Sequence, residues 1–199
     1  MALMASMNEK LKNAVVGIAG LGGLGSNVAV ALARTGIGRL IIADFDKVEK
    51  DNLSRQQYFI DQVGEIKVDA MAENLMRINP DVKVDAHHIR LTAENIPDIF
   101  ADADVIAECF DKAEEKQMIA QTVLSRMDKP IVTVSGLAGY GNSNAIQTRR
   151  ISGRLTLVGD CESGIDSVKI LTAARVGIAA AHQANAIIET IMEDKKWNR

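Results

Sequence analysis

The chain has 199 residues, a length that suits one domain with a sizeable core. Hydrophobic residues make up 47% and charged residues 25%, the balance of an ordinary globular protein, and the net charge of −3 argues against a general nucleic-acid binder. No apolar run reaches the ~20 residues that a membrane span needs. The apolar start is too short for a secretory signal and the two cysteines form no CxxC pair, so we expect a cytoplasmic protein.

The first elements form a βαβ unit around a glycine-rich turn. Residues 14–19 predict a buried strand, 26–35 a helix and 39–44 a second buried strand, because the strands are short, apolar and β-branched. The turn GLGGLG at 20–25 joins the first strand to the helix. The polar segment 45–62 is too long for an ordinary connection, which indicates a functional role.

Helices and strands alternate through the rest of the chain. The patterns predict helices at about 64–79, 112–127 and 171–194, and strands at 83–89, 105–110, 131–136, 144–150 and 154–158. The last two strands flank a tight turn and look like an antiparallel extension. We therefore predict an α/β fold in which residues 1–199 form a single domain, with a Rossmann-like, doubly wound, mainly parallel sheet and an antiparallel extension.

The turn carries the GxGxxG spacing of a phosphate-binding loop at Gly20, Gly22 and Gly25, with Gly23 as a further glycine. The first glycine permits the turn, the second lets a phosphate approach the backbone, and the third lets helix and strand pack closely. Asp44 lies 19 residues after Gly25, near the ~20 expected of a ribose-binding acid. The alternatives are a turn with no ligand and an NAD-dependent dehydrogenase.

Two longer runs carry a resemblance to a family. GLGGLGSNVAVALARTGIGRLIIADFDKVEKDNLSRQQYF and GEIKVDAMAENLMRINP resemble the ThiF/MoeB family, relatives of the ubiquitin-activating enzymes. The resemblance runs from about Lys10 to Met192, and its D-F-D-x-V-x-x-x-N-L-x-R-Q element is absent from dehydrogenases. The match looks best with the short ThiF-like branch of thiamine biosynthesis. It implies an adenylyltransferase that uses ATP and Mg²⁺ on the C-terminal Gly-Gly carboxylate of a ubiquitin-like sulfur carrier, and it implies a homodimer.

Several polar residues are suited to that chemistry. Arg55 and Lys67 can offset triphosphate charge, and Asn52 and Gln56 can hydrogen-bond ribose or phosphate. Asp111 follows a predicted strand, and a carboxylate at that position suits Mg²⁺. The resemblance implies that Asp44 binds ribose, that Asn52, Arg55 and Lys67 bind phosphates, that Asp111 holds the metal, and that Asp46 is a second acid nearby. The plainer alternatives are solvated surface charges for Arg55 and Lys67, and a helix cap for Asp111.

The cysteines and histidines favour structural roles. Cys109 falls in a predicted buried strand, and Cys161 lies in a polar loop without matching the family's cysteine register. His87, His88 and His182 have no spacing that links them to cysteine or aspartate as a metal set. The paired CxxC motifs of larger family members are missing, so we expect no zinc.

Two departures from the family pattern bear on activity. Lys112 replaces the asparagine that usually follows the metal-binding acid. The first ten residues lack the arginine that family members often supply across a dimer, which leaves Arg149 or Arg150 as candidates. Competing hypotheses are ATP-dependent modification of a tRNA base or small molecule, although the acidic charge disfavours tRNA, and a non-catalytic partner subunit.

Overall fold

The computed structural model describes residues 2–164 and 170–193, and within these the chain forms seven strands and six α-helices. The strands are β1 (Val15–Ala19), β2 (Arg39–Asp44), β3 (Lys83–His88), β4 (Val105–Glu108), β5 (Ile131–Val134), β6 (Gln147–Arg150) and β7 (Leu155–Gly159). The helices are α1 (Ala2–Asn13), α2 (Gly23–Thr35), α3 (Lys67–Ile78), α4 (Ile96–Ile99), α5 (Ala113–Arg126) and α6 (Ala173–Met192). Short 3-10 helices cover Lys50–Ser54, Ile60–Gln62 and Ser143–Ala145.

The strands form one sheet in the order β3-β2-β1-β4-β5-β7-β6. All neighbours are parallel except β6 and β7, which pair antiparallel. The predicted fold class, a Rossmann-like mainly parallel sheet with an antiparallel extension, is confirmed. The chain winds outward from β1 to β3 and then returns to β4 on the other side of β1. In such sheets ligands bind at the carboxyl ends of the strands where the order reverses, between β1 and β4.

Helices cover both faces of the sheet because its central strands are apolar on both sides. Helices α2, α3 and α6 pack on one face, with Leu32, Met71 and Ile187 in the core cluster there. Helices α4 and α5 pack on the other face around the fully buried Phe100. A Cβ at Gly17 of β1 would lie 2.6 Å from the Phe100 ring, so this glycine lets the ring pack directly against the strand.

The structure differs from the predicted elements mainly at their ends and in two additional helices. Helix α2 begins at Gly23, inside the glycine turn, and α6 begins after Thr172, whose hydroxyl caps it by accepting from the Arg175 N–H at 3.3 Å. Helices α1 and α4 were not predicted from the sequence. In the described part of the chain, no helix combines the length and apolar character that crossing a membrane requires.

The hypothesis that Asp111 caps α5 is wrong. The capping position of α5 is occupied by Lys112, and no side chain makes a capping hydrogen bond there. Asp111 lies one residue further out, is exposed, and is therefore available for another role.

Candidate nucleotide site

The glycine turn lies at the reversal point of the sheet, where β1 ends and α2 begins. Gly20 has a φ of +91°, and a Cβ on Gly25 would lie 1.8 Å from the Gly20 carbonyl oxygen. A Cβ on Gly20 would also lie 3.0 Å from the carbonyl oxygen of Cys109, just after β4. The turn is therefore packed tightly against the end of β4, and the first N–H groups of α2 face the carboxyl edge of the sheet.

Asp44, the last residue of β2, is fixed beside this turn. Its Oδ2 accepts from the Leu21 N–H at 2.6 Å, and its Oδ1 accepts from the Asp46 N–H at 2.8 Å. These two bonds orient a buried carboxylate, and each oxygen keeps a further lone pair for another donor. The geometry suits the hydroxyls of a ribose, the role predicted for Asp44.

The segment after β2 folds back over the glycine turn and is tied to the first turn of α2. The Asn27 amide donates to the carbonyls of Gly23 at 2.6 Å and Arg55 at 3.0 Å. The Ser26 hydroxyl accepts from the Gln57 N–H at 3.1 Å. A Cβ on Gly23 would lie 3.6 Å from Cγ of Arg55, so the arginine side chain crosses directly over the turn.

Tyr58 also ties this segment to the glycine turn. This residue was not identified from the sequence. Its buried hydroxyl donates to the carbonyl of Leu21 at 3.0 Å. Burial, together with the nearby charges of Asp44 and Asp46, raises the pKa of Tyr58 far above its ordinary value, so the hydroxyl keeps its proton. The only signal in the sequence was an aromatic residue at the end of a polar loop.

Arg55 and Gln56 place polar groups near the turn that have few or no partners within the described chain. The Arg55 guanidinium donates to the Asp51 carbonyl at 3.2 Å and the Ser54 hydroxyl at 3.3 Å, and no described carboxylate pairs with it. Gln56 is buried, and its Nε2 lies 3.9 Å from the position of a Cβ on Gly22. Its Oε1 is buried without a hydrogen-bond partner, which a native structure rarely tolerates.

Lys67 is the first residue of α3 and is only 5% exposed. Its ammonium pairs with the Asp46 carboxylate at 3.0 Å, and its N–H donates to the Asp46 carbonyl at 3.0 Å. A buried ammonium is costly without a counter-charge, and the Asp46 carboxylate supplies one. The alternative of a solvated surface charge is therefore wrong for Lys67, although the Asp46 side chain itself is half exposed.

Asn52 plays a local role in this structure. Its Oδ1 accepts from the Glu49 N–H at 3.2 Å, within its own 3-10 helix. Its carbonyl accepts from the N–H groups of Arg55 at 3.1 Å and Gln56 at 2.9 Å. Asn52 thus sets the course of the backbone that carries Arg55 and Gln56, and its predicted phosphate contact stays a prediction.

Asp111 lies beyond the end of β4, one residue from Phe110, whose ring approaches the position of a Cβ on Gly20 to 3.3 Å. The exposed carboxylate has no described partner. Among the described residues no group of three or more His, Cys, Asp or Glu side chains could hold a metal ion by itself. A Mg²⁺ site requires fewer protein ligands, since the ion is usually held by one or two carboxylates together with substrate phosphates. Asp111 beside a phosphate-binding turn fits that requirement.

The cysteines and the arginines of β6 are the remaining predicted residues. Cys109 is buried, and burial raises the pKa of its thiol, so it is an unreactive core residue. Cys161 is exposed with a φ of +63°, and its sulfur accepts from Arg149 at 3.3 Å. Arg149 and Arg150 lie on β6, with three strands between them and β1, so neither reaches the turn of its own chain.

Two buried ion pairs at the same edge of the sheet were also missed. Glu108, at the end of β4, pairs with Lys116 of α5 at 2.9 Å. Asp160, after β7, pairs with Arg175 of α6 at 2.6 Å. Burial raises the pKa of Asp160, but hydrogen bonds from Ser163, the Glu162 N–H and Arg175 outweigh it and lower this pKa to about 2. Each pair joins residues distant in sequence, which explains why no local pattern showed them.

A glycine turn at the reversal point, an acid on the adjacent strand and cations folded over the turn define a Rossmann-like nucleotide-binding protein. The family model described as "ThiF family" matches residues 2–197, so the chain belongs to the ThiF family. This confirms the resemblance found in the sequence.

Individual relatives agree with that assignment. The chain is 40% identical over 133 residues to an adenylyltransferase and sulfurtransferase uba4 from Emericella nidulans, which covers 66% of this chain and 27% of that protein. It is 36% identical over 141 residues to the sulfur carrier protein ThiS adenylyltransferase of Escherichia coli, with coverage of 70% and 55%. The chain therefore spans about a quarter to about half of the length of these two relatives.

Solved structures share the fold. An E. coli tRNA N6-threonylcarbamoyladenosine dehydratase, TcdA, in complex with ATP has a TM-score of 0.82 and 23% identity, over 94% of this chain and 89% of that one. E. coli MccB with AMPCPP and MccA has a TM-score of 0.73 and 25% identity, over 98% and 60%. At 23% identity the first likeness concerns the fold alone.

Gly22 and Gly25 of the turn give a contrast between binding and folding. In Gly25→Ala the new methyl group meets the Gly20 carbonyl, and we expect a loss of about 3 kcal/mol or more in the free energy of unfolding. In Gly22→Ala it meets only Gln56 at 3.9 Å, with a φ of −74° that any residue adopts, so stability should change by less than about 1 kcal/mol. Gly22→Ala should nevertheless weaken ATP binding about tenfold. Chemical denaturation and calorimetric titration measure both, and equal stability losses would contradict the assignment.

The Asp160–Arg175 pair should make stability depend on acid pH. Because the Asp160 pKa is lowered from 3.8 to about 2 in the folded protein, its stabilisation is complete above pH 3.8 and is lost as the pH falls towards 2. We expect Asp160→Asn to lower the free energy of unfolding by about 2 kcal/mol at pH 7 and to flatten its dependence between pH 4 and 2. Urea titrations across that range test it, with Asp81→Asn as an exposed control. A parallel pH profile in wild type and Asp160→Asn would contradict it.

Proposed function

We propose that this chain uses ATP to adenylate the C-terminal Gly-Gly carboxylate of a ubiquitin-like sulfur carrier protein, for thiamine or a related sulfur-transfer pathway. The observation that carries the proposal is the placement of Arg55 and Gln56 over the glycine turn, with Asp44 fixed beside the turn and Lys67 paired to Asp46. The 36% identity with a sulfur carrier protein ThiS adenylyltransferase supports the choice of substrate. The relatives also include a ubiquitin-like modifier-activating enzyme 5, a second protein that is named for activating a small carrier protein.

We place a nucleoside triphosphate in the site in one orientation. The Asp44 carboxylate and the unpartnered Gln56 Oε1 are acceptors, and ribose hydroxyls are the donors that ATP offers them. The phosphates then run along the start of α2, where backbone N–H groups and the helix dipole favour negative charge. Arg55, on the segment that folds over the turn, and Lys67, the first residue of α3, supply positive charge to the same phosphates.

Adenylation needs positioning more than covalent help from the protein. A carrier carboxylate oxygen bonds to the α-phosphorus, the bond from that phosphorus to the bridging oxygen breaks, and pyrophosphate leaves with the electron pair. The negative charge that builds on the phosphoryl oxygens is stabilised by Arg55 and by Lys67, whose burial reduces the screening of its charge by water. Mg²⁺, when bound, neutralises phosphate charge, and Asp111 would hold it.

The competing hypotheses differ in what they require. A dehydrogenase would bind NAD, whose two phosphates carry less charge than the triphosphate of ATP, so the cations Arg55 and Lys67 should favour ATP over NAD. Modification of a tRNA base would require a basic surface, which a net charge of −3 does not favour. A non-catalytic partner subunit would tolerate loss of Lys67 and Asp111. The homodimer, the single-domain organisation and the cytoplasmic location stay predictions.

Carrier-dependent exchange between ATP and pyrophosphate tests the proposed function. We expect exchange with a carrier that ends in Gly-Gly and none with the same carrier truncated by its last glycine. Lys67→Met and Asp111→Asn should each lower the rate about 100-fold, the effect of removing one charge-stabilising group. Lys50→Met and Asp61→Asn, exposed residues in the same part of the chain, are the matched controls and should keep wild-type rates.

The possible failures distinguish the hypotheses. ATP binding without exchange on any Gly-Gly carrier of the same genome would overturn carrier adenylation and favour a small-molecule or tRNA substrate. Sulfur transfer that survives both Lys67→Met and Asp111→Asn in a cell would identify a partner subunit without its own catalysis. Binding of NAD in preference to ATP in a direct titration would overturn the nucleotide assignment itself.

A further inference from the structure

Glu108 is a carboxylate with no contact to solvent at the carboxyl edge of the sheet. It accepts hydrogen bonds from the Phe110 N–H at 2.7 Å and the Val134 N–H at 3.3 Å. Lys116 of α5 donates to both of its oxygens, at 2.9 and 3.2 Å. One buried side chain thus joins the end of β4, the end of β5 and the segment that leads into α5.

The same segment is held on its other side by α6. The Gln183 amide donates to the carbonyl of Glu108 at 2.8 Å and to that of Val132 at 2.9 Å. Cys109 and Phe110 meanwhile pack against the glycine turn at Gly20. The backbone just before Asp111 is therefore fixed from three directions.

Asp111 itself has no such support. No side chain caps α5, and the Asp111 carboxylate is exposed with no described partner. Its position relative to the glycine turn depends on the residues before it, above all on the bond between the Phe110 N–H and Glu108. Lys116 pairs with Glu108, whereas no described cation forms an ion pair with Asp111.

We propose that Glu108 and Lys116 are positioning residues that hold Asp111 beside the glycine turn and thereby set the affinity of the nucleotide site for its divalent cation. The proposal rests on the proposed function, because it takes Asp111 as the cation ligand. Residues behind a metal ligand commonly change metal affinity by 10–100-fold when they are altered. The buried pair contributes geometry here, since an apolar pair of the same size would stabilise the fold as well.

The test is the Mg²⁺ dependence of nucleotide binding in the intact protein. For Glu108→Gln and Lys116→Met, we expect the Mg²⁺ concentration that half-saturates ATP binding to rise about tenfold. ATP affinity in EDTA should stay within twofold of wild type, because Asp44, Arg55 and Lys67 are untouched. Asp111→Asn gives the full loss of the Mg²⁺ effect for comparison. Glu115 lies on the same helix as Lys116 and pairs with Arg90, which follows β3. Glu115→Gln breaks that pair, is the matched control and should behave as wild type.

A second readout needs no metal or nucleotide. Amide hydrogen exchange at Phe110 should become at least about tenfold faster in Glu108→Gln and unchanged in Glu115→Gln, because only the first alters its acceptor. If Glu108→Gln does not fold, Lys116→Met carries the test, since it leaves the Phe110 bond acceptor in place. An unchanged Mg²⁺ requirement in a folded variant, or a change in ATP affinity of the same size in EDTA, would overturn the proposal. Failure of the proposed function would instead show as wild-type ATP binding that Mg²⁺ does not affect.

Discussion

The close approach of the Gly20 carbonyl to Gly25 is the constraint on which the rest of the site depends. Only a missing side chain at Gly25 lets the chain reverse so sharply that α2 begins over the end of β1. Because β4 lies next to β1, the same turn packs against Cys109 and Phe110. The N–H groups of α2, the Asp44 carboxylate and the Asp111 segment are thus brought to one edge by a single backbone contact.

What distinguishes this site from a dinucleotide site is the segment between β2 and α3. It folds back over the turn and is tied down by Asn27, Ser26 and Tyr58, none of which contributes charge. These bonds hold Arg55 above Gly23 and leave Lys67 buried beside Asp46. Two cations are therefore fixed in this part of the chain, together with the carboxylates of Asp44 and Asp46.

The sequence was informative wherever an interaction is local. The βαβ unit, the glycine turn and Asp44 follow from spacing alone, and the D-F-D-x-V-x-x-x-N-L-x-R-Q element directed attention to Arg55 and Gln56. Local spacing could not predict the strand order or the contacts of Tyr58, Gln183 and Lys116. Gln183, for example, bonds to Glu108 across 75 residues, and no periodicity records such a contact. Helix α1 was missed because its sequence lacks a clear apolar stripe, and its contacts with α6 exist only in the folded chain.

Three strands end in the same way, and the difference between them explains the chemistry of the site. Asp44 at the end of β2, Glu108 at the end of β4 and Asp160 directly after β7 each accept from the N–H two residues further on. Glu108 and Asp160 are neutralised by cations of the following helices, Lys116 and Arg175. At Asp44 the cation of the following helix, Lys67, pairs with Asp46 instead, and no described cation pairs with Asp44 itself. A carboxylate oriented by backbone and left without a counter-charge is a strong acceptor for neutral donors such as ribose hydroxyls.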